Sequence, residues 1–277
     1  VYFMNYKLGL LAQDMHNSVL PAAYDCFCRS LGHEMSFKIY NVRAEQLAPT
    51  VNMFRDTLDG FTVTMPYKVR IMDFCDEMNE SAEKCMSVNT VLVRNGKLIG
   101  YNTDGWGFIK SLQLNGADFA GKRAVLVGAG GVAMSIAYNL LINGVRKVDV
   151  LNLFPNETER LVSRMGKAFE GHMLTDEALS ECAGKADAFI NASVLGQVGF
   201  DDYADLDFLK KLPPDAVVFD VNYSNPDAKL LPAARALGLR AYSGRAMSSC
   251  QGIRAMEIWT GMRPSDETVS EFLRTLE

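Results

Sequence analysis

The stretch from Arg123 to Gly144, RAVLVGAGGVAMSIAYNLLING, constrains this chain more than any other. Ala124 to Val127 is an apolar, β-branched run with charge before it and glycine after it, which predicts a buried strand. Gly128-Ala129-Gly130-Gly131-Val132-Ala133 then fits G-x-G-x-x-[GA]. In that pattern Gly128 permits a tight turn, Gly130 lets backbone approach a pyrophosphate, and Ala133 keeps the next helix close to the strand. The helix carries apolar Ile136, Leu140 and Leu141, and its first turn offers free N–H groups and a positive dipole end to a phosphate. A glycine-rich turn alone is an ordinary connection. Here a strand precedes it, a helix comes after it, and a second strand stands at Lys147 to Leu151, so a dinucleotide site is the better reading.

That unit needs only part of the 277 residues, which leaves room for a second domain. Hydrophobic content of 48% against 22% charged residues predicts a packed globular protein. A net charge of −5 without a Lys/Arg cluster argues against nucleic acid as a partner. No apolar run approaches the ~18 residues of a membrane span, and no secretory signal pattern opens the chain. Six cysteines (Cys26, Cys28, Cys75, Cys85, Cys182 and Cys250) form no C-x-x-C and no zinc spacing. They read as reduced thiols of a cytoplasmic protein with no metal. His16, His33 and His172 are scattered, which leaves a histidine triad without support. The sequence leaves open whether the chain is a monomer or a homodimer.

Taken in order, the chain predicts strands and helices in alternation. A strand at Tyr6–Leu11 leads through a polar loop to a helix from Pro21 to Ser30, with Ser18 either its cap or a ligand contact. A strand at Phe37–Tyr40, a helix at Glu45–Arg55 and a strand at Phe61–Thr64 come next. Pro66 ends that strand, and a helix is expected over Val69–Asn79. Lys68, at the junction, reads by spacing alone as a solvated lysine. Ser87–Val93 and Lys97–Gly100 form a hairpin about Asn95-Gly96. Asp104 opens a helix as a candidate cap. After the glycine unit come helices at Glu157–Phe169 and Asp176–Cys182, and strands at Ala188–Asn191, Val217–Val221 and Arg240–Tyr242, with a helix at Leu230–Leu237 between the last two. Helices at Met247–Trp259 and Asp266–Leu276 close the chain. The second half thus reads as a doubly wound parallel sheet.

Several ordered segments now combine. They are Val63-Thr64-Met65-Pro66-Tyr67-Lys68, Ser87-Val88-Asn89-Thr90-Val91, Gly100-Tyr101-Asn102-Thr103-Asp104-Gly105-Trp106-Gly107, Gly128-Ala129-Gly130-Gly131, Ile190-Asn191-Ala192-Ser193, and Met247-Ser248-Ser249-Cys250-Gln251-Gly252 running to Trp259-Thr260-Gly261. With these the chain resembles the shikimate/quinate dehydrogenase family along nearly its whole length. The resemblance implies an α/β protein of two domains. Residues 1–104, completed by C-terminal helices over 243–277, would form a mixed-sheet substrate domain. Residues 105–242 would form a Rossmann-type dinucleotide domain with a doubly wound parallel sheet. It also implies reversible hydride transfer between NAD or NADP and the ring hydroxyl of shikimate or a close relative, a small cyclic hydroxy acid. Such a step needs a proton donor or acceptor within hydrogen-bond reach of the reacting oxygen. The resemblance assigns this work to Lys68 and Asp104, reversing the spacing-based reading of Lys68. It assigns substrate contacts to Ser18, Thr64, Asn89, Tyr223 and Gln251. Cofactor contacts fall to Gly128, Ala129, Gly130, Gly131, Val132, Ala133, Asn152, Ser193 and Gly244.

The sequence also departs from the family pattern. The N-terminal motif usually ends H-S-x-S-P, with two serines on a carboxylate. Here it is Asn17-Ser18-Val19-Leu20-Pro21, and Thr62 stands where an asparagine is usual. Losing one hydroxyl from a carboxylate site removes a charge-assisted bond of about 1.5–3 kcal/mol. A quinate-type or otherwise altered specificity, or a non-enzymatic binding relative, is the alternative; a Rossmann-type methyl transferase lacks the expected acid after the second strand. The cofactor rule asks for an acid there for NAD or an arginine for NADP. Asn152-Leu153-Phe154 supplies neither, and without a guanidinium fork a 2′-phosphate would be poorly paired, which leans toward NAD.

Overall fold

The computed structural model describes residues 3–15, 18 and 20–275. His16, Asn17, Val19 and Leu276, which entered the sequence reading, lie outside these. The chain divides into two compact units, Val1–Gly107 with Ser248–Glu277, and Phe108–Met247.

The first unit runs β1 (Asn5–Ala12), α1 (Leu20–Ser30), β2 (Glu34–Asn41), α2 (Leu47–Thr57), β3 (Gly60–Val63), β4 (Glu77–Met78), α3 (Glu80–Cys85), β5 (Thr90–Arg94) and β6 (Lys97–Tyr101), with α4 (Asp104–Gln113) leaving it. The six strands among its described residues lie in the order β2-β1-β3-β5-β6-β4. β1 is parallel to both neighbours, while β5 is antiparallel to β3 and to β6, so the sheet is mixed as expected. The β5–β6 hairpin turns on Asn95 (φ 53°) and Gly96 (φ 72°), the paired positive φ angles of a tight hairpin turn. Leu11, Val51, Phe54, Phe61, Tyr67, Ile71 and Val91 fill one core against this sheet.

The helix expected over Val69–Asn79 is not there. A single 3₁₀ turn at Arg70–Phe74 stops at extended Cys75. The next residues are captured by the edge of β6. Asp76 N–H donates to Leu98 O at 2.9 Å, Leu98 N–H donates to the Asp76 carboxylate at 2.7 Å, and Asn79 N–H donates to Gly100 O at 2.9 Å. Asn79 then caps α3 by accepting from Ser81 N–H. The strand expected from Ser87 begins only at Thr90.

The second unit runs β7 (Arg123–Val127), α5 (Gly131–Ile142), β8 (Lys147–Asn152), α6 (Pro155–Met165), β9 (Phe169–Met173), α7 (Asp176–Ala183), β10 (Ala188–Asn191), β11 (Val217–Asp220), α8 (Leu230–Ala236) and β12 (Arg240–Ser243). All its strands are parallel, in the order β12-β11-β10-β7-β8-β9. The earliest strand sits in the middle and the winding reverses there, which is the doubly wound topology of dinucleotide-binding sheets. The helix expected to reach Phe169 ends at Met165 because Gly166 turns the chain at φ 82°, and Phe169 opens an edge strand instead. Helix α9 (Gly244–Thr260) starts before the expected Met247, and α10 (Asp266–Arg274) is capped by the Ser265 hydroxyl.

Within the first unit α9 is anchored by one side chain. Trp259 Nε1–H donates to Val91 O at 2.9 Å, and its indole lies on Gly60, where a Cβ would come within 2.2 Å of the ring nitrogen. Trp259 also meets Tyr24 of α1 edge-on, with ring centroids 5.2 Å apart.

Candidate active site

In the first unit, backbone bonds bring three sequence segments together. Val63 N–H donates to Asn89 O, Val88 N–H to Lys68 O, and Asn89 N–H to Tyr101 O. This stitching places side chains from β3's exit, from the segment entering β5, and from β6's exit into one cluster. Lys68 Nζ lies 2.7 Å from Asp104 Oδ2, with the two side chains 19% and 12% exposed. Asn89 Nδ2 donates to the other carboxylate oxygen at 2.8 Å. Gln251, from α9, accepts at Oε1 from Thr103 Oγ1 at 2.8 Å and from Asn89 Nδ2 at 3.3 Å. Lys68, Asp104, Asn89 and Gln251 are therefore one hydrogen-bonded group.

The capping reading of Asp104 gives way here. Asn102 Oδ1 accepts from Asp104 N–H, which leaves the carboxylate for Lys68 and Asn89. Ser18 does act as a cap, its hydroxyl accepting from Leu20 N–H at 3.2 Å. Ser18 and Thr64 lie past the carboxyl ends of β1 and β3, which are adjacent and parallel. The Thr64 hydroxyl and Gln251 Nε2 make no hydrogen bond among the described residues.

Three residues here escaped the residue-level reading. Thr103 and Thr90 both bond the Asn89 carbonyl oxygen. Their signal was their place in the S-V-N-T and Y-N-T-D segments. The third is Tyr24, fully buried, whose hydroxyl has no hydrogen-bond partner among the described residues. It faces Thr62 and Gln251, and burial pushes its pKa up. Leu20, at the position of the missing serine, is buried one turn before it on α1.

In the second unit the glycine turn has the geometry its sequence predicts. Gly128 adopts φ 103°, and a Cβ there would lie 2.7 Å from Ala192 O. A Cβ on Gly130 would meet nothing within 4 Å, so the backbone is open to a ligand at that point. Ala129 and Ala133 are buried, Val132 is half-buried, and Gly131 opens the 12-residue α5. Gly128 N–H donates to Leu151 O, which ties the turn to the end of β8. There Asn152 donates to Phe154 O at 3.2 Å and to Glu157 Oε2 at 3.3 Å. Ser193 donates to Asn191 Oδ1 at 2.6 Å, and Asn222 Nδ2 donates to Ser193 O, so the loop after β10 is held from β11's exit. Gly244 is required sterically, since a Cβ would sit 2.1 Å from Val221 O. Tyr223 belongs to this second unit and is 44% exposed.

The described cysteines are all free thiols, and burial pushes those of Cys28, Cys75 and Cys182 up to about 11. Cys182 lies with Asp149 and His172 in a group whose ligand atoms are within 4.8 Å of one another, a proximity that sequence spacing hid. The Arg123 guanidinium already forks the Asp149 carboxylate at 2.8 and 3.0 Å.

A mixed-sheet unit carrying an ammonium–carboxylate pair, and a doubly wound unit carrying a dinucleotide turn, define a two-domain nicotinamide-dependent oxidoreductase. The chain belongs to the shikimate dehydrogenase family. Residues 10–91 match the shikimate dehydrogenase substrate binding domain, and residues 111–202 match shikimate / quinate 5-dehydrogenase. It is 33% identical to a shikimate dehydrogenase (NADP(+)) of Alkaliphilus metalliredigens over 92% of this chain and 91% of that one. Among solved structures, shikimate 5-dehydrogenase of Listeria monocytogenes, in complex with shikimate and NAD, superposes with a TM-score of 0.87 at 28% identity, covering 97% of this chain and 96% of that one. The 5-ketofructose reductase of a Gluconobacter strain gives 0.84 at 27% identity, covering 99% of each. No helix among the described residues is long and apolar enough to cross a membrane.

Proposed function

We propose that this chain interconverts a ring ketone and its secondary alcohol on shikimate or a close relative, in the reducing environment of the cytoplasm, with NAD as the preferred partner. The observation that carries the reading is the Lys68–Asp104 pair, 2.7 Å apart and backed by Asn89. A retired site has no physical need for both charges. The mixed-sheet unit is read as the substrate domain and the doubly wound unit as the dinucleotide domain.

The Gly128 turn, the open approach at Gly130 and the first N–H groups of α5 fit a pyrophosphate. Asn152 and Ser193 flank it as contacts to the rest of the dinucleotide. The nicotinamide, when bound, supplies or takes the hydride. The protein's own work is on the proton. In the reduction direction the Lys68 ammonium hands a proton to the ketone oxygen as that oxygen gains negative charge, and the amine recovers it from solvent. In the oxidation direction the neutral amine takes the hydroxyl proton. Asp104 holds the amine in line in both directions, and Asn89 fixes the carboxylate. Gln251 Nε2, Thr64 and Ser18 hold the ring's oxygens, with Tyr223 as a further contact.

The lean toward NAD rests on the residues just past β8. Leu153 and Phe154 are exposed apolar side chains where a phosphate would need a guanidinium. The altered-specificity reading has its own support. Buried Leu20 stands where the usual second serine would offer a hydroxyl, which leaves that subsite short of one donor.

The test is absorbance at 340 nm with shikimate, quinate and uncharged polyols, each with NAD and NADP. Turnover of shikimate is expected, and Lys68→Ala should lower kcat by about 10²–10⁴-fold, the span of general acid–base catalysis. No turnover of any cyclic polyol, or turnover untouched by the substitution, would remove the reading.

A further inference from the structure

The cofactor rule expects an acid at the end of the second strand to receive the ribose hydroxyls, and Asn152 occupies that place here. The structure supplies the acid from elsewhere. Glu157 stands in the first turn of α6, and its Oε2 accepts from Asn152 Nδ2 at 3.3 Å. The strand end it reaches is the one bonded to the glycine turn, through Gly128 N–H to Leu151 O. Glu157 forms no ion pair among the described residues, and Arg160, on the same helix, is not bonded to it. Glu157, with no counter-charge among the described residues, is thus bonded to the residue that ends β8, next to the one the glycine turn bonds.

We infer that Glu157 sets cofactor choice in this chain, accepting from the adenosine ribose hydroxyls of NAD and repelling the 2′-phosphate of NADP. The inference rests on the dinucleotide reading of the second unit and deepens it. Asn152 acts as the positioning residue. Its amide donates both to Phe154 O and to Glu157, which turns the carboxylate toward the strand end. A ribose hydroxyl is a donor and suits the carboxylate. A phosphate carries about two negative charges and only acceptors, so it meets a like charge with nothing to offset it. Exposed Leu153 and Phe154 add no donor to rescue it.

Glu157 also has an ordinary helical role, since an acid in a first turn complements the helix dipole. Cofactor selectivity is a readout that this role does not move. The experiment is calorimetric titration of the full-length protein with NAD and with NADP, without substrate, for the wild type, Glu157→Gln and Glu159→Gln. The wild type should bind NAD at least about tenfold more tightly than NADP. Glu157→Gln should reduce that ratio to about threefold or less, chiefly by tightening NADP, while Glu159→Gln, a neighbouring exposed acid, should leave it unchanged. Thermal unfolding of each variant separates lost folding from lost selectivity. Preference for NADP in the wild type, removed by Arg160→Ala, overturns the inference. So does an equal drop in selectivity for Glu157→Gln and Glu159→Gln, which would make the effect one of general charge. Because no turnover is needed, failure of the substrate reading leaves this result intact, and failure here leaves the substrate reading intact.

Discussion

Asn89 has two amide protons and one carbonyl oxygen, and all are committed. The amide donates to Asp104 and shares its second proton between Thr103 and Gln251, while the oxygen accepts from Thr103 N–H and from the Thr90 hydroxyl. At 3% exposure Asn89 acts in this arrangement as the frame around the carboxylate. Tyr24 shows the opposite condition. Its hydroxyl is buried with no partner in good hydrogen-bond geometry among the described residues, and Thr62 and Gln251, the donors beside it, only partly offset the effect of burial. A buried donor left unpaired carries a desolvation cost of about 1–3 kcal/mol. Tyr24→Phe keeps the ring against Trp259 and Phe37 and removes the orphan, so it should stabilise the protein by about 1 kcal/mol. Urea denaturation monitors this through a higher midpoint at unchanged slope; a lower midpoint would mean that the hydroxyl has a partner in solution. Neither residue's condition could be seen in the sequence. Lys68 and Asp104 stand 36 residues apart, and spacing alone made one a surface lysine and the other only a candidate cap. Resemblance paired them because it carries information about contacts across the fold, which periodicity does not.

At the scale of elements, Trp259 is the clasp of the first unit. Its indole nitrogen reaches Val91 O on β5 while the ring covers Gly60 on β3, so α9 is held across two strands by one side chain. Gly60 is there to admit that ring. Gly60→Ala would set a methyl within 2.2 Å of the indole nitrogen and 2.4 Å of the neighbouring ring carbon, so the ring or the strand must shift. Overpacking of this kind costs about 1–3 kcal/mol. The melting temperature should fall and Trp259 emission should shift to the red, and an unshifted emission would show that the helix moves instead. Elements with their own periodicity were legible. The glycine turn, the hairpin at Asn95-Gly96 and strand β10 at Ala188–Asn191 stand where the pattern put them. Elements that depend on a neighbour were not. The two-residue β4 exists because β6 bonds Asp76 and Asn79, and edge strand β9, with Glu170, Gly171 and His172 at its centre, has too little apolar alternation to announce itself.

For the whole molecule, two units with separate cores mean that stability has no need to be a single number. The second unit is one uninterrupted segment, and a titrating group buried in it makes its stability depend on pH. Asp220 ends β11 at 1% exposure. Burial pushes its carboxyl up to about 6; Asn222 N–H and the Asn191 amide, both donating to it, pull in the other direction without reversing the rise. Asp202 adds a like charge that raises it further. An unfolded aspartate titrates near ~3.9. Between those two values the folded unit holds a proton that the unfolded chain has released. Stability from this group is therefore fully present below about pH 4, declines as pH rises, and is gone above about pH 6. The gap between the folded and unfolded titration points is worth about 3 kcal/mol. Asp220→Asn keeps an acceptor for Asn191 and Asn222 and removes the charge. Wild type and variant should melt alike at pH 4 and diverge as pH rises, with the variant ahead by up to about 3 kcal/mol at pH 7. Hydrogen exchange at pH 7 should locate the gain in β10 and β11, since the bonds to this carboxylate come from Asn191 and Asn222 at the ends of those strands. Melting curves of the two proteins that coincide from pH 4 to pH 8 would mean that Asp220 is already ionised in a solvated site, and that its burial is not what limits this unit.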